Sequence, residues 1–248
     1  MKTLTELKPN TVHIWTINFL VSEDAFSRYH NLLSDDEKER ANKFKFYKDK
    51  RCYVVTKGIL RLLSATYLTK DAKDIKFEYG KYGKPKFKTE TNLNFNVSHS
   101  GDIAIIGFVY DHTIGADIEK IKNDFDTFEI AANFFSKKEI ATLREIPKSH
   151  QYLAFYRCWT RKEAFIKAKG SGLSFPLDQY SVSLNTDLKA ELLETKWSTK
   201  EKEHWYYHSF IPDSNYIAAV IVDTQIEVFK HFTLDANHFP KFSLKPNS

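Results

Sequence analysis

The sequence predicts an α+β protein of two similar α/β halves, and three observations carry that expectation. A strand, a helix opened by a capping box, a longer helix and further strands follow one another twice, each time over about half of the 248 residues. The composition (42% hydrophobic, 15% aromatic and 28% charged) is that of a globular chain long enough to bury a sizeable core. Only 8 Gly and 7 Pro argue against a repeat fibre or a low-complexity protein.

The elements follow in order. Residues 12–20 alternate apolar and polar side chains, as a half-buried strand does. Ser34 and Glu37 have capping-box spacing, and a charged helix continues from them through Arg40 and Phe44. Tyr53, Val54, Ile59, Leu60, Leu62, Leu63 and Tyr67 recur at helical spacing and predict a longer helix over 48–68. Strands are expected at 75–79 and 103–110, with a turn at 80–85 from its Gly and Pro. The order then repeats. A strand at 114–119 leads through a polar linker to a helix near 127–134, and Ser136 with Glu139 offers a second capping box. A long helix over 150–168 precedes strands at 180–184, 190–193, 205–211 and 216–222. This divides the chain into halves at 1–112 and 113–230, with 231–248 a polar tail expected to wrap the surface or fray.

Several function classes are disfavoured at once. Cys52 and Cys158 lie in apolar surroundings without CxxC spacing and read as partly buried thiols, with a disulfide between them as the alternative. The nine histidines form no HExxH or Cys/His pattern, which argues against a zinc site of the usual kind. The longest apolar runs, such as 217–222, are far too short to span a bilayer. Residues 1–30 lack the pattern of a signal peptide, so a cytoplasmic protein is expected. The net charge of +5 is dispersed, which does not suggest nucleic acid. It suits a phosphate-rich ligand or an acidic protein partner.

Three segments carry residues with chemical potential. Asp117 and Glu119 lie two apart on an expected strand and so share a face. Such a pair suits either a solvent-facing strand or hard oxygen ligands for Mg²⁺, and Gly115 before it permits close approach. Lys162, Glu163 and Lys167 lie on the long helix. Glu163 and Lys167 have ion-pair spacing, yet Phe155, Trp159, Ala164 and Phe165 make this helix largely apolar. Ionic groups in that setting line a pocket or meet a ligand. Asn96-Val-Ser-His-Ser100 places Ser98 and His99, two phosphate-capable donors, beside a turn. Arg40, Lys43 and Lys84, taken singly, read as solvated cations.

In this order, Asn96-Val-Ser-His-Ser100, Gly115-x-Asp-x-Glu119 and Trp159-x-x-Lys-Glu-Ala-Phe-x-Lys167 resemble the signature of the 4'-phosphopantetheinyl transferase superfamily, in its double-length, monomeric Sfp type. Arg40-Ala-Asn-Lys-Phe44, Lys57-Gly-Ile-Leu-Arg61, Gly83-Lys-Pro85, Phe134-Phe-Ser136 and Gly170-x-Gly-Leu173 add to the match, which runs from about residue 12 to 222. Ala116 stands where larger aliphatic side chains are common, a difference expected to touch packing rather than chemistry.

The resemblance implies halves related by a pseudo-two-fold axis, with the active site in the cleft between them. It implies Mg²⁺-dependent transfer (Mn²⁺ serving as a possible substitute) of the phosphopantetheine arm of coenzyme A to a serine of a carrier protein. By the same resemblance Asp117, Glu119 and Glu163 would hold the metal, and Lys167 would face the phosphate under attack. Lys84, Ser98 and His99 would bind the nucleotide and its phosphates, and Arg40 and Lys43 the 3'-phosphate. The serine proton would pass to Glu163 or to a metal-bound water. Trp159 is expected to pack rather than to react. The segment from Lys122 to Phe128 is the candidate carrier-docking stretch, unless Phe125 and Phe128 cap the core instead.

Overall fold

The computed structural model describes residues 2–4, 6–172, 175–238 and 242–244. Leu173 and the last residues of the expected tail lie outside them. The strands are β1 (Lys2–Leu4), β2 (Thr11–Asn18), β3 (Phe77–Tyr79), β4 (Pro85–Phe87), β5 (Leu93–Ser100), β6 (Ile103–Tyr110), β7 (Ile114–Lys120), β8 (Tyr180–Val182), β9 (Leu192–Thr195), β10 (Tyr206–Phe210), β11 (Tyr216–Val222), β12 (Val228–Asp235) and β13 (Phe242–Leu244). The helices are α1 (Glu23–His30), α2 (Asp35–Asn42), α3 (Tyr47–Leu68), α4 (Thr127–Phe134), α5 (Lys137–Glu145) and α6 (Lys148–Lys169). Among the described residues no helix is long and apolar enough to cross a membrane.

Two sheets form the centre. One has the order β12-β2-β6-β5 and the other β10-β11-β7. Strand periodicity then sorts the side chains into layers. Trp15 and Ile17 of β2, with Ala104, Ile106 and Phe108 of β6, face α3 and build one core with Val55, Ile59 and Leu63. The alternate residues Val12, Ile14, Ile103 and Ile105 turn to the other face and meet Ile114, Ala116, Ile118, Ala218 and Val220 of the second sheet. Ile217, Ala219 and Ile221 of β11 face α6 and build the third core. The fold is thus helix, sheet, sheet, helix, with one long helix on each outer side. Burial on both faces explains why β11 is apolar at every position. Ala116 lies in the inter-sheet core, where its small side chain is a packing feature, as expected.

The capping boxes do more than start helices. Glu37 accepts from the backbone N of Ser34 at 3.0 Å and pairs with Arg61 of α3 at 2.8 Å. In the second half Glu139 accepts from Ser136 N at 2.7 Å and pairs with Lys162 of α6 at 2.9 Å. Each half therefore ties its short capped helix to its long helix through one buried carboxylate. Lys162 also donates to the carbonyls of Leu177 and Tyr180 and is fully buried. It serves the core and not a ligand pocket.

One expectation needs correcting. Residues Val228–Asp235 do not fray: they form β12, which runs across the anticipated limit at 230 and pairs in parallel with β2. The second half thus hands its last strand to the first half's sheet, where Leu234 and Ala236 are buried. Asn96-Val-Ser-His-Ser100 is the end of β5, and the turn beside it is at Gly101 and Asp102.

Candidate active site

The β5 motif works through its period of two. Asn96, Ser98 and Ser100 point toward β7 and bond its backbone: Asn96 Oδ1 accepts from Ala116 N, Ser98 Oγ from Ile118 N and Ser100 Oγ from Lys120 N. A polar side-chain ladder thus joins the sheets of the two halves where no backbone ladder does. The same serines fix the carboxylates. Ser98 Oγ donates to Asp117 Oδ1 at 2.9 Å and Ser100 Oγ to Glu119 Oε2 at 2.8 Å.

Asp117 and Glu119 face α6, as their spacing on β7 requires. The helix can come close because residue 115 is glycine; a Cβ there would run into the Ala164 carbonyl and Ala168. Glu163 and Lys167, four residues apart on α6, are thereby brought to the carboxylate strand. Lys167 does not form the helical ion pair suggested by its spacing. Its ammonium reaches across to Asp117 Oδ1 at 2.5 Å and Ser98 Oγ at 2.8 Å.

The electrostatics follow from crowding acids under protein. Burial raises the pKa of Asp117, with Lys167 and Ser98 opposing the shift. Burial and the neighbouring Asp117 raise that of Glu119, which the Ser100 hydroxyl counters by hydrogen bonding. Trp159 packs against Phe134 and Phe155. Glu163 is pushed up to about 7, first by desolvation and then by the Asp117 charge. Two buried carboxylate oxygens, Asp117 Oδ2 and Glu163 Oε1, have no hydrogen-bond partner.

Orphaned, mutually repelling carboxylate oxygens are the donor set a hard cation prefers. Among the described residues, however, no three His, Cys, Asp or Glu side chains close into a metal-binding cluster. The chemistry of the site fits Mg²⁺, and the carboxylates would have to draw together to hold it.

Two cavities flank this centre and share Pro85 and Val97 in their walls. The larger, about 790 Å³, lies between α3 and the end of β7 and gathers Arg40, Lys48, Lys57, His99, Lys120 and Lys122, against a single acid, Asp49. Lys57 is 9% exposed and its ammonium makes no hydrogen bond. It rests over the Phe77 ring at 4.4 Å, with Glu37 3.9 Å away. Arg40 lies over Tyr53 at 5.4 Å. His99 lines the same cavity, and burial followed by the Lys167 charge lowers its pKa. The smaller cavity, about 440 Å³, is lined by Glu163, Lys167, Tyr82, Ile166, Gly170 and Gly172, among others.

Of the nine residues singled out in the sequence, Asp117, Glu119, Glu163, Lys167 and Ser98 come together, with Arg40 and His99 in the adjoining large cavity. Ser98 is only 5% exposed and committed to Asp117 and Lys167, so it holds the carboxylate in place. Lys84 borders the smaller cavity, but its ammonium donates to the carbonyls of Ile114 and Ala168, both at 3.0 Å. Burial lowers its pKa to about 8. It clamps the β3–β4 hairpin to the second half. Lys43 is exposed at the end of α2 and borders neither cavity. In the anticipated docking stretch, Phe125 packs on Tyr152 and Phe155 and Phe128 is half-buried on the same core. Lys122, Asn123, Asp124 and Asp126 are its exposed residues.

Sequence reasoning missed Lys48, Lys57 and Lys120. Their signal was present in part: Lys48, Cys52, Thr56 and Leu60 are spaced by four, as are Asp49, Tyr53 and Lys57, and all seven line the cavity from one side of α3.

Comparison with known proteins adds an independent line. Residues 113–221 match the family model described as the 4'-phosphopantetheinyl transferase superfamily, and residues 19–108 one described as 4'-phosphopantetheinyl transferase, N-terminal. The chain is 33% identical over 220 residues to the 4'-phosphopantetheinyl transferase HetI of Nostoc, covering 87% of this chain and 89% of that protein. It is 36% identical over 167 residues to the 4'-phosphopantetheinyl transferase Sfp of Bacillus subtilis, covering 67% and 73%. A mouse relative, L-aminoadipate-semialdehyde dehydrogenase-phosphopantetheinyl transferase, is 32% identical over 208 residues, covering 77% and 67%.

Proposed function

The chain belongs to the 4'-phosphopantetheinyl transferase superfamily, and on that footing we propose how its residues carry out the transfer. It is an enzyme that moves the phosphopantetheine arm of coenzyme A to a carrier protein. The observation that carries the assignment of roles is the set of buried carboxylates, two of their oxygens unpartnered, beside a basic cleft that reaches across both halves.

In this reading the large cavity takes the nucleotide end of coenzyme A. Arg40, Lys48, Lys57 and His99 meet its phosphates, and the bare ammonium of Lys57 supplies an unspent donor set. Asp117, Glu119 and Glu163 would hold Mg²⁺, with Mn²⁺ as a substitute; the ion supplies charge neutralisation at the pyrophosphate. The serine oxygen of the carrier forms a bond to the phosphorus that bears the pantetheine arm. The P–O bond to adenosine 3',5'-bisphosphate breaks and the electron pair leaves with the bisphosphate. Glu163, facing the smaller cavity with an unpartnered oxygen, takes the serine proton. Lys167, one turn further along α6, stabilises the leaving phosphate. Ser98 and Ser100 hold the acids in position, so catalysis rests on placement and fixed charge.

Lys84 and Lys43 have weaker parts. Lys84 shapes the cavity wall, and Lys43 acts at most as long-range positive potential. The carrier, whose acidic surface a basic rim would steer, docks beside the exposed Lys122 to Asp124 of the segment ending at Phe128. A monomer working in the cytoplasm completes this reading, and the division near 112 separates coenzyme-binding α3 from the catalytic helix α6. Incubation with coenzyme A, Mg²⁺ and an apo-carrier protein tests the reading. The carrier should gain the mass of one phosphopantetheine arm; no gain across fatty-acid, polyketide and peptide carriers would refute it.

A further inference from the structure

His208 on β10 and His231 on β12 approach each other on the side of the second half's sheet opposite the carboxylates, where it meets β12 of the first half's sheet. Their Nε2 atoms are 2.8 Å apart, and their rings are tilted by 48°. Neighbouring aromatics hold both rings. His208 is stacked on Phe229 at 4.2 Å and 10°, while Phe210 lies edge-on to His231 at 4.6 Å. A convergent nitrogen pair held in this way is a chelate in waiting.

We propose that His208 and His231 form a transition-metal site, suited to Cu²⁺ or Ni²⁺, that clasps the two sheets together. Imidazole nitrogens suit both ions, with metal–nitrogen bonds of about 2.0–2.1 Å, and a rotation of the hydrogen-bonded rings that turns both lone pairs to one ion places the nitrogens at adjacent positions around it. His231 is exposed, so water completes the coordination shell. In the structure one Nε2 carries the shared proton; on loading, that proton moves to Nδ1 of its own ring and frees both Nε2 lone pairs, with no change in net charge. Partial burial lowers the pKa of His208 to about 4, which favours its neutral, ligating ring. The oxygen-rich catalytic site prefers a hard ion, so the two sites differ in ligand class and in position.

The test uses full-length, tag-free protein in saturating Mg²⁺, titrated with Ni²⁺ by calorimetry and with Cu²⁺ by electron paramagnetic resonance. The expected results are one Ni²⁺ per chain, nitrogen hyperfine structure from two imidazoles with Cu²⁺, and a rise in melting temperature on loading. His231→Ala, at an exposed position, should weaken binding at least tenfold and abolish the rise. Its transferase activity without added Ni²⁺ or Cu²⁺ should stay within about twofold of wild type. His208→Gln should weaken binding to the same degree. The proposal is overturned if wild-type protein binds neither metal, or if His231→Ala binds as tightly as wild type.

Discussion

Glu163 illustrates what a site costs at the scale of one residue. Its folded pKa of about 7 lies above the ordinary 4.5, so between those values the folded chain keeps a proton that the unfolded chain has lost. Stability from this group is therefore fullest below about pH 4.5 and falls as pH rises through 7. We expect Glu163→Gln, compared with wild type in chelator, to melt at a higher temperature at pH 8 and to lose most of that advantage by pH 5. The gain should be on the order of 1 kcal/mol, since partial exposure screens the full shift. Thermal unfolding at both pH values checks this; a difference that does not change with pH would place the carboxylate in a solvated setting. At this scale the sequence showed which residues the fold brings together better than how they are held. Asp117, Glu119, Glu163 and Lys167 were legible as chemistry. Ser98 was legible only as a polar group, because its role as a carboxylate clamp depends on β7 lying alongside, which no local pattern records.

Element by element, the long helices are set by glycine and by buried ion pairs. Gly115 lets α6 settle on β7, and a methyl group there would push the helix from Asp117 and Glu119. Gly115→Ala should therefore lower transfer by roughly 100-fold, as a misplacement of about 1 Å does, with the loss in kcat more than in KM. Steady-state kinetics decide this, and unchanged kcat would show that the helix spacing is not critical. Glu139→Ala strands Lys162 without its partner in the core. It should destabilise the fold by about 3–5 kcal/mol in urea unfolding, and a loss under about 1 kcal/mol would contradict the buried pair. Both capping boxes were visible in the sequence because their spacing is local. Their second bond to the long helix, 24 residues on for Glu37 and 23 for Glu139, was not.

For the whole molecule, the C-terminal strand was the main surprise. Lys230 and His231 gave the segment a polar look, but Phe232 and Leu234 alternate with Thr233 in the manner of an edge strand. Its partner β2 lies more than 200 residues away in sequence, so no window could pair them. The strand also anchors α1, where the Tyr29 hydroxyl donates to Ala236 O at 2.7 Å. Ending the chain at Glu227 should therefore abolish cooperative unfolding or soluble expression, whereas a dispensable tail would leave both intact. The four-layer frame brings the carboxylates of β7, the acid and amine of α6 and the basic cleft of α3 side by side. That relation is tested most directly by Glu163→Gln, with carrier mass gain and coenzyme A affinity measured on the same folded preparation. The account predicts transfer reduced at least 100-fold while coenzyme A binding in the Lys57 cleft changes less than about tenfold. Transfer at the wild-type rate by this variant would contradict it.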